Sequence, residues 1–192
     1  FGAGPVSSLD ALFTSASAVS TTGLTTVSTG HGFSLFGQLV ILALIQIGGI
    51  GYMTFGSFVV LSGRGQLSER REQIGKVVFS MPEEFRIAKF IRSVIFFTLA
   101  VETAGVAALF AAFRGAGLEH PLWWAVFHSV SAFCTAGFGL SDVSFEALRG
   151  NVAVNAVLGI LSYLGAIGFI VFVDAWRRLI GKTNRLTLTS RI

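Results

Sequence analysis

Two short phrases carry the residue types from which a cation site can be built out of backbone alone: Ser20-Thr21-Thr22-Gly23-Leu24 and Cys134-Thr135-Ala136-Gly137-Phe138. A bare cation must be met by several oxygens at once, and carbonyls converge only where the chain takes backbone angles that glycine tolerates and bulkier residues obstruct. Thr and Gly hold matched places in both phrases, while the residue between them changes from Thr22 to Ala136. Ligation by hydroxyls would make Ala136 a defect; ligation by carbonyls lets that side chain vary. For the first phrase alone a Ser/Thr-rich surface loop is an equal alternative, and the second copy shifts the balance toward carbonyl chemistry.

The phrases belong to a longer repeat. Phe13-x-Ser15-x-Ser17-Ala18-x-x-Thr21-x-Gly23 returns as Phe127-x-Ser129-x-Ser131-Ala132-x-x-Thr135-x-Gly137. Each copy precedes an apolar stretch with a second shared phrase, Ile47-Gly48-Gly49-Ile50-Gly51-Tyr52 against Leu164-Gly165-Ala166-Ile167-Gly168-Phe169. A repeated half-polar hairpin followed by a long apolar helix is the pattern of a pore. A short helix entering a bilayer also directs its C-terminal carbonyls, the negative end of its dipole, toward a cation.

Composition places most of the chain in lipid. The apolar share is 53%, mean hydropathy is +0.74 and 12% of residues are charged, against roughly 25% in soluble proteins. No Asp, Glu, Lys or Arg occurs between Asp10 and Arg64, and the apolar window 34–62 is long enough to cross a ~30 Å hydrocarbon core. The net charge of +4 sits in two basic blocks, 64–92 and 177–191, outside which only Arg114 and Arg149 occur. These blocks flank apolar segments without the aromatic interleaving that stacks bases, so no nucleic-acid partner is expected. The positive-inside rule puts both blocks in the cytoplasm and the segments near Asp10, Glu119 and Asp142 outside. No signal peptide is visible at Phe1, and the lone Cys134 excludes a disulfide within the chain.

These signals predict an all-α membrane protein of helix, re-entrant loop and helix units. Residues 1–63 form a first pore repeat without its outer helix: a short helix over 8–20, too short at ~20 Å to span, an extended polar return over 21–32, and a spanning helix over 34–61. Its glycines Gly48, Gly49, Gly51 and Gly56 permit close helix approach or a bend. Residues 64–86 form a cytoplasmic connector in which Ser80-Met81-Pro82-Glu83-Glu84 starts a helix. Residues 87–176 form the second repeat: a span over 87–113, a short helix over 122–134 opened by His120-Pro121, a polar return over 135–140, and a span from 151 to about 176. Residues 177–192 form a cytoplasmic tail leading toward a third repeat.

The remaining polar residues have plainer readings. Glu102, mid-span, must face protein or water; an ion or proton site and a structural hydrogen bond both remain open. Gln38 and Gln46 share a helix face and suit hydrogen bonds inside the bundle. His31 and His128 have no Cys or carboxylate partners at metal-ligand spacing. Cys134, matching Ser20, suits a small wall position better than a catalytic thiol. No P-loop, dinucleotide or metalloprotease signature occurs, so the chain does not read as an enzyme, no covalent cofactor is expected, and nucleotide dependence would come through a partner.

The chain resembles the bacterial Trk/Ktr/HKT superfamily of potassium transporters, particularly the Ktr membrane subunit. The resemblance rests on Asp10-Ala11-Leu12-Phe13-Thr14-Ser15-Ala16-Ser17-Ala18-Val19, Thr22-Gly23-Leu24, Phe36-Gly37-Gln38, Ile45-Gln46-Ile47-Gly48-Gly49-Ile50-Gly51-Tyr52-Met53-Thr54-Phe55-Gly56 and the run from Phe127 through Phe138. It implies four non-identical repeats around one pore, each with a filter segment centred on glycine, here Gly23 and Gly137. Thr21, Thr22, Gly23, Leu24, Thr135, Ala136, Gly137 and Phe138 would then line the filter and hold potassium through backbone carbonyls, with sodium possible as a second ion. Two copies are half of such a ring. The resemblance implies two further repeats of the same subunit, or less readily a second protomer, to complete it, in a homodimer of full-length subunits in the cell (inner) membrane. It also implies a cytoplasmic nucleotide-binding regulatory ring, which Arg64, Arg70, Arg71, Lys76, Arg177, Arg178 and Lys182 could meet, although anionic lipid and topology alone also account for these charges. A membrane scaffold whose loops only pack is the alternative from another class.

Overall fold

The computed structural model describes residues 6–51, 87–142 and 145–167. The connector, both basic blocks outside 87–92, and the far ends of the first and third expected spans lie outside them. Among the described residues the regular structure is entirely helical: α1 (Ser8–Val19), α2 (Thr29–Gly32), α3 (Leu35–Ile50), α4 (Ile87–Gly115), α5 (Pro121–Phe133) and α6 (Val152–Ile167), with a 3-10 turn at Glu146–Leu148. The chain divides into two units. One holds residues up to Gly51 together with Thr98–Ala166; the described part of the other is Ile87–Phe97 and Ile167. Both Thr-x-Gly phrases belong to the first unit.

Each helix start has a local cause. Ser7 Oγ accepts from Asp10 N at 3.1 Å and opens α1, with the Asp10 carboxylate in the first turn, where the helix dipole favours negative charge. Ser34 Oγ does the same for α3 through Gly37 N. Pro121 sits in the first turn of α5 after His120, whose φ of 54° turns the chain sharply into the helix. Asn151 Oδ1 accepts from Val154 N at 3.1 Å at the head of α6.

Within α4, Arg92–Gly115 runs for 24 residues at a mean hydropathy of 2.0. At 1.5 Å per residue that is about 36 Å, enough to cross a bilayer. The described parts of α3 and α6 are each 16 residues long and apolar. Two expectations need correcting. The return over 21–32 is not extended throughout, because Ser28 caps a single helical turn, α2, by accepting from His31 N. The span expected over 34–61 is not one uninterrupted helix, because Gly51 takes a φ of 82° and closes α3 by donating to Gly48 O.

The packing is built on close approach. A Cβ at Gly48 would run into the carbonyl oxygen of Val19, the last residue of α1; a Cβ at Gly165 would run into the carbonyl oxygen of Phe133, the last residue of α5. The second shared phrase therefore lets each apolar helix press its backbone onto the end of the short helix before it. In hydrocarbon, where burying apolar surface from lipid gains little, such small-residue contacts are the main source of association. Leu109, Phe113, Ala125, Val154 and Leu161 form a core where α4, α5 and α6 meet. Phe113 lies edge-on to Trp124 at 6.1 Å and stacked on Phe145 at 6.3 Å.

Candidate functional site: paired turns at the ends of α1 and α5

The two Thr-x-Gly phrases close with the same backbone hydrogen bonds. At the end of α1, Thr21 N donates to Ala18 O at 3.1 Å and Thr22 N to Ser17 O at 2.9 Å. At the end of α5, Thr135 N donates to Ala132 O at 3.0 Å and Ala136 N to Ser131 O at 2.8 Å. Both are Schellman closures. The left-handed position of such a closure normally belongs to glycine, yet Thr21 and Thr135 occupy it with φ of 50° and 52°. For a β-branched residue this is a true outlier, with a steric cost of about 1–2 kcal/mol. Each Thr hydroxyl donates to the preceding carbonyl, Thr21 to Ser20 O at 2.8 Å and Thr135 to Cys134 O at 2.7 Å.

These bonds revise the expected electrostatics. The last carbonyls of the short helices do not all point freely at a cation: Ala16 O, Ser17 O, Ala18 O and Ser20 O of the first copy all accept hydrogen bonds. The carbonyls with no hydrogen bond among the described residues come one step later, at Thr21, Thr22 and Gly23 and at Thr135, Ala136 and Gly137. Gly23 (φ 78°) and Gly137 (φ 73°) are the second left-handed residues of their turns. Each turn thus has left-handed residues two apart, at Thr21 and Gly23 and at Thr135 and Gly137.

The turns also lie next to each other. A Cβ on Gly23 would strike the Ala136 carbonyl oxygen and stand 3.1 Å from Gly137 Cα, and one on Gly137 would lie 3.7 Å from Gly23 Cα. The structure therefore brings Gly23 beside Ala136 and Gly137; across the two copies no contact of Thr21, Thr22 or Thr135 is part of this approach. It treats Leu24 and Phe138 differently. The Leu24 side chain is exposed, whereas Phe138 is buried and its carbonyl accepts from Ser131 Oγ at 2.7 Å, behind the turn.

Further contacts join the two copies. Gly30 fits against Leu140 O and Gly49 against Cys134 Sγ, neither leaving room for a Cβ. His31 Nδ1 lies 3.0 Å from Asp142 Oδ1, linking the two returns. Hydrogen bonds from Ser28 and then His31 hold the Asp142 carboxyl below the usual carboxylate range. Those from Ser7 and Thr26 do the same for Asp10, where Thr26 Oγ1 donates at 2.8 Å and fastens the return to the head of α1.

The glutamines behave as their shared face suggests. Gln38 Nε2 donates to Gly30 O and Phe33 O, and its Oε1 accepts from Trp123 Nε1 at 2.7 Å. Gln46 Nε2 donates to Glu102 Oε2 at 3.1 Å. Glu102, 5% exposed, has its other oxygen 3.9 Å from Cys134 Sγ, and its backbone carbonyl accepts from Ser129 Oγ at 2.8 Å. Of the two readings left open for Glu102, these contacts are of the structural kind, tying α4 to α3 and to the end of α5. Sequence reasoning gave His128 and Ser131 no part in the site, yet both bond to the segment that follows the second turn. Their only advance signal was their place in the repeat.

Among the described residues, regular structure that is all helical and a helix long and apolar enough to cross a bilayer fit the class of helical membrane proteins. A family model described as a cation transport protein, TrkH, matches residues 3–190, and the chain belongs to the TrkH family. It is similar to the "Ktr system potassium uptake protein B" of Bacillus subtilis, with 35% identity over 95% of this chain and 41% of that protein. The protein of the same description from Vibrio alginolyticus is 33% identical over 92% of this chain and 39% of its own length. The "Potassium/sodium uptake protein NtpJ" of Enterococcus hirae is 33% identical over 96% and 41%. The chain spans about two fifths of the length of these relatives.

Proposed function

We propose that this chain is part of the membrane subunit of a potassium uptake system, in which potassium moves down its electrochemical gradient past backbone carbonyls of Thr21, Thr22, Gly23, Thr135, Ala136 and Gly137, flanked by Leu24 and Phe138. The observation that carries the reading is the pair of neighbouring turns with left-handed Thr and left-handed Gly, whose carbonyls have no hydrogen bond among the described residues. Strain of this kind persists where the surroundings over-determine it, commonly at ligand sites, and unbonded carbonyls facing hydrocarbon would each cost several kcal/mol. A cation lined by more protein resolves both. The short helices are re-entrant from the outside and the basic blocks cytoplasmic, in a multi-pass arrangement in the cell membrane. Two further repeats of the same subunit, or a second copy, complete the wall, with full-length subunits paired as a homodimer. Sodium assistance is consistent with the description of the Enterococcus relative. Regulation by a cytoplasmic nucleotide-binding ring rests on the family resemblance alone.

The test is potassium uptake by the complete gene product in cells lacking their own uptake systems, and in liposomes. Saturable potassium entry driven by the membrane potential supports the reading. A well-folded protein that moves no ion refutes it and favours a membrane scaffold.

A further inference from the structure

The two turns match in backbone but not in how they are held from behind. In the second copy, Ser131 Oγ donates to Phe138 O at 2.7 Å, and His128 Nε2 accepts from Leu140 N at 3.3 Å. The imidazole is locked in the tautomer this bond needs. Its Nδ1 lies 2.8 Å from Trp124 O, which can only accept, so Nδ1 carries the proton and Nε2 offers the lone pair. His128 is 2% exposed and walled by Phe113, Phe127, Phe145 and Trp124. In the first copy the matched positions are Thr14 and Ser17. Both are buried, and neither hydroxyl oxygen has a hydrogen-bond partner among the described residues.

An open pocket of about 320 Å³ borders the second turn, lined by His128, Ser131, Thr135, Gly137, Phe138 and Ser162 among others. Where space adjoins a turn, polar bonds carry more of its restraint than packing does. We propose that Ser131 and His128 are positioning residues that clamp the second turn and thereby set its preference among cations, whereas at the first turn the matched Thr14 and Ser17 make no such bond among the described residues and the bond between side chains is the local one of Ser20 Oγ with Thr22 Oγ1 at 2.7 Å. This rests on the potassium-conducting reading above. Sodium, the smaller ion, needs oxygens closer in than potassium does, and a carbonyl cage discriminates only if it resists closing or rearranging. With Phe138 O tied to Ser131 and Leu140 N to His128, a shift of the segment after Gly137 has to break these bonds.

The experiment measures, for the complete gene product, the ratio of potassium to sodium uptake from initial rates. Losing one such buried hydrogen bond predicts a fall of about five- to tenfold in that ratio. Ser131→Ala and His128→Leu are each expected to produce it, Ser131→Thr to retain the native ratio, and Ser17→Ala to stay within about twofold of it. Because a ratio is independent of the amount of protein, variants that accumulate poorly are still read. Native ratios in Ser131→Ala and His128→Leu overturn the proposal, whether or not total uptake drops, and so does an equal fall in Ser17→Ala. If neither variant reaches the membrane, these are folding determinants and the proposal also fails. Absence of potassium uptake by the unaltered protein would sink the functional reading instead.

Discussion

Replacing Gly23 and Gly137 in turn by Ala should produce unequal damage. Both glycines sit at left-handed φ, 78° and 73°, where any L-residue pays about 1–2 kcal/mol. At 1.4 kcal/mol per decade, that alone depopulates the native turn by about 5- to 30-fold. For Gly137 the reckoning stops there, because a new Cβ meets Gly23 Cα at an ordinary 3.7 Å. At Gly23 the methyl would be driven into the Ala136 carbonyl oxygen and to 3.1 Å from Gly137 Cα. These are backbone atoms that cannot rotate aside, so the second turn must shift, and overpacking of this kind costs a further ~1–3 kcal/mol. Gly23→Ala should therefore lower the potassium-to-sodium uptake ratio at least about fivefold more than Gly137→Ala, since it disturbs carbonyls of both turns. The assay is initial-rate uptake of each ion by the complete gene product, normalised to surface protein. Equal losses, or a larger loss at Gly137, would refute the reasoning that the two backbones meet at Gly23.

Three further outcomes are expected from the packing and the charges. Gly165→Ala places a Cβ on the Phe133 carbonyl oxygen and should abolish folded accumulation, whereas Gly159→Ala in the same helix, with nothing within 4 Å, should be neutral or stabilising by up to ~1 kcal/mol; thermal stability of the detergent-extracted protein separates them. Glu102→Leu strands the Gln46 amide, now 3.1 Å from the carboxylate, and should destabilise by about 1–3 kcal/mol, with Gln46→Leu in the same protein recovering part of the loss by removing the stranded group. Asp142 has its carboxyl lowered by Ser28 and His31, so its contribution is complete above the ordinary carboxylate range and is lost as pH falls through the lowered value; the link between the returns should loosen there, read as protease sensitivity of the outer face, and Asp142→Asn should remove that acid step.

Much of the site was legible because the repeat constrains it twice. Thr21 and Thr135 could be aligned at helix ends, the small residues of the second shared phrase could be marked as points of close approach, and the shared face of Gln38 and Gln46 followed from helical spacing. What could not be read was conformation that runs against propensity. A threonine argues for extended backbone, so nothing local placed Thr21 and Thr135 in the left-handed region; the Schellman closure and the bond from each hydroxyl to the carbonyl before it hold them there. Partners far apart in sequence were equally hidden: His31 with Asp142, Gln46 with Glu102, Gly49 with Cys134. None of these pairs has a spacing rule, since each joins elements whose meeting depends on how the two repeats pack.

The repeat also concealed a difference. Thr14 and His128 stand at matched positions, and from the sequence alone either could be the variable one. Only the fold assigns consequences: His128 bridges Trp124 O and Leu140 N, while the Thr14 hydroxyl, buried at the same place, bonds to nothing among the described residues. Two turns with one backbone geometry therefore carry different side-chain bonds. On the proposal that Ser131 and His128 clamp the second turn, ion preference is not shared equally between the two, and a larger fall in the uptake ratio for Ser131→Ala than for Ser17→Ala is the result that would show it.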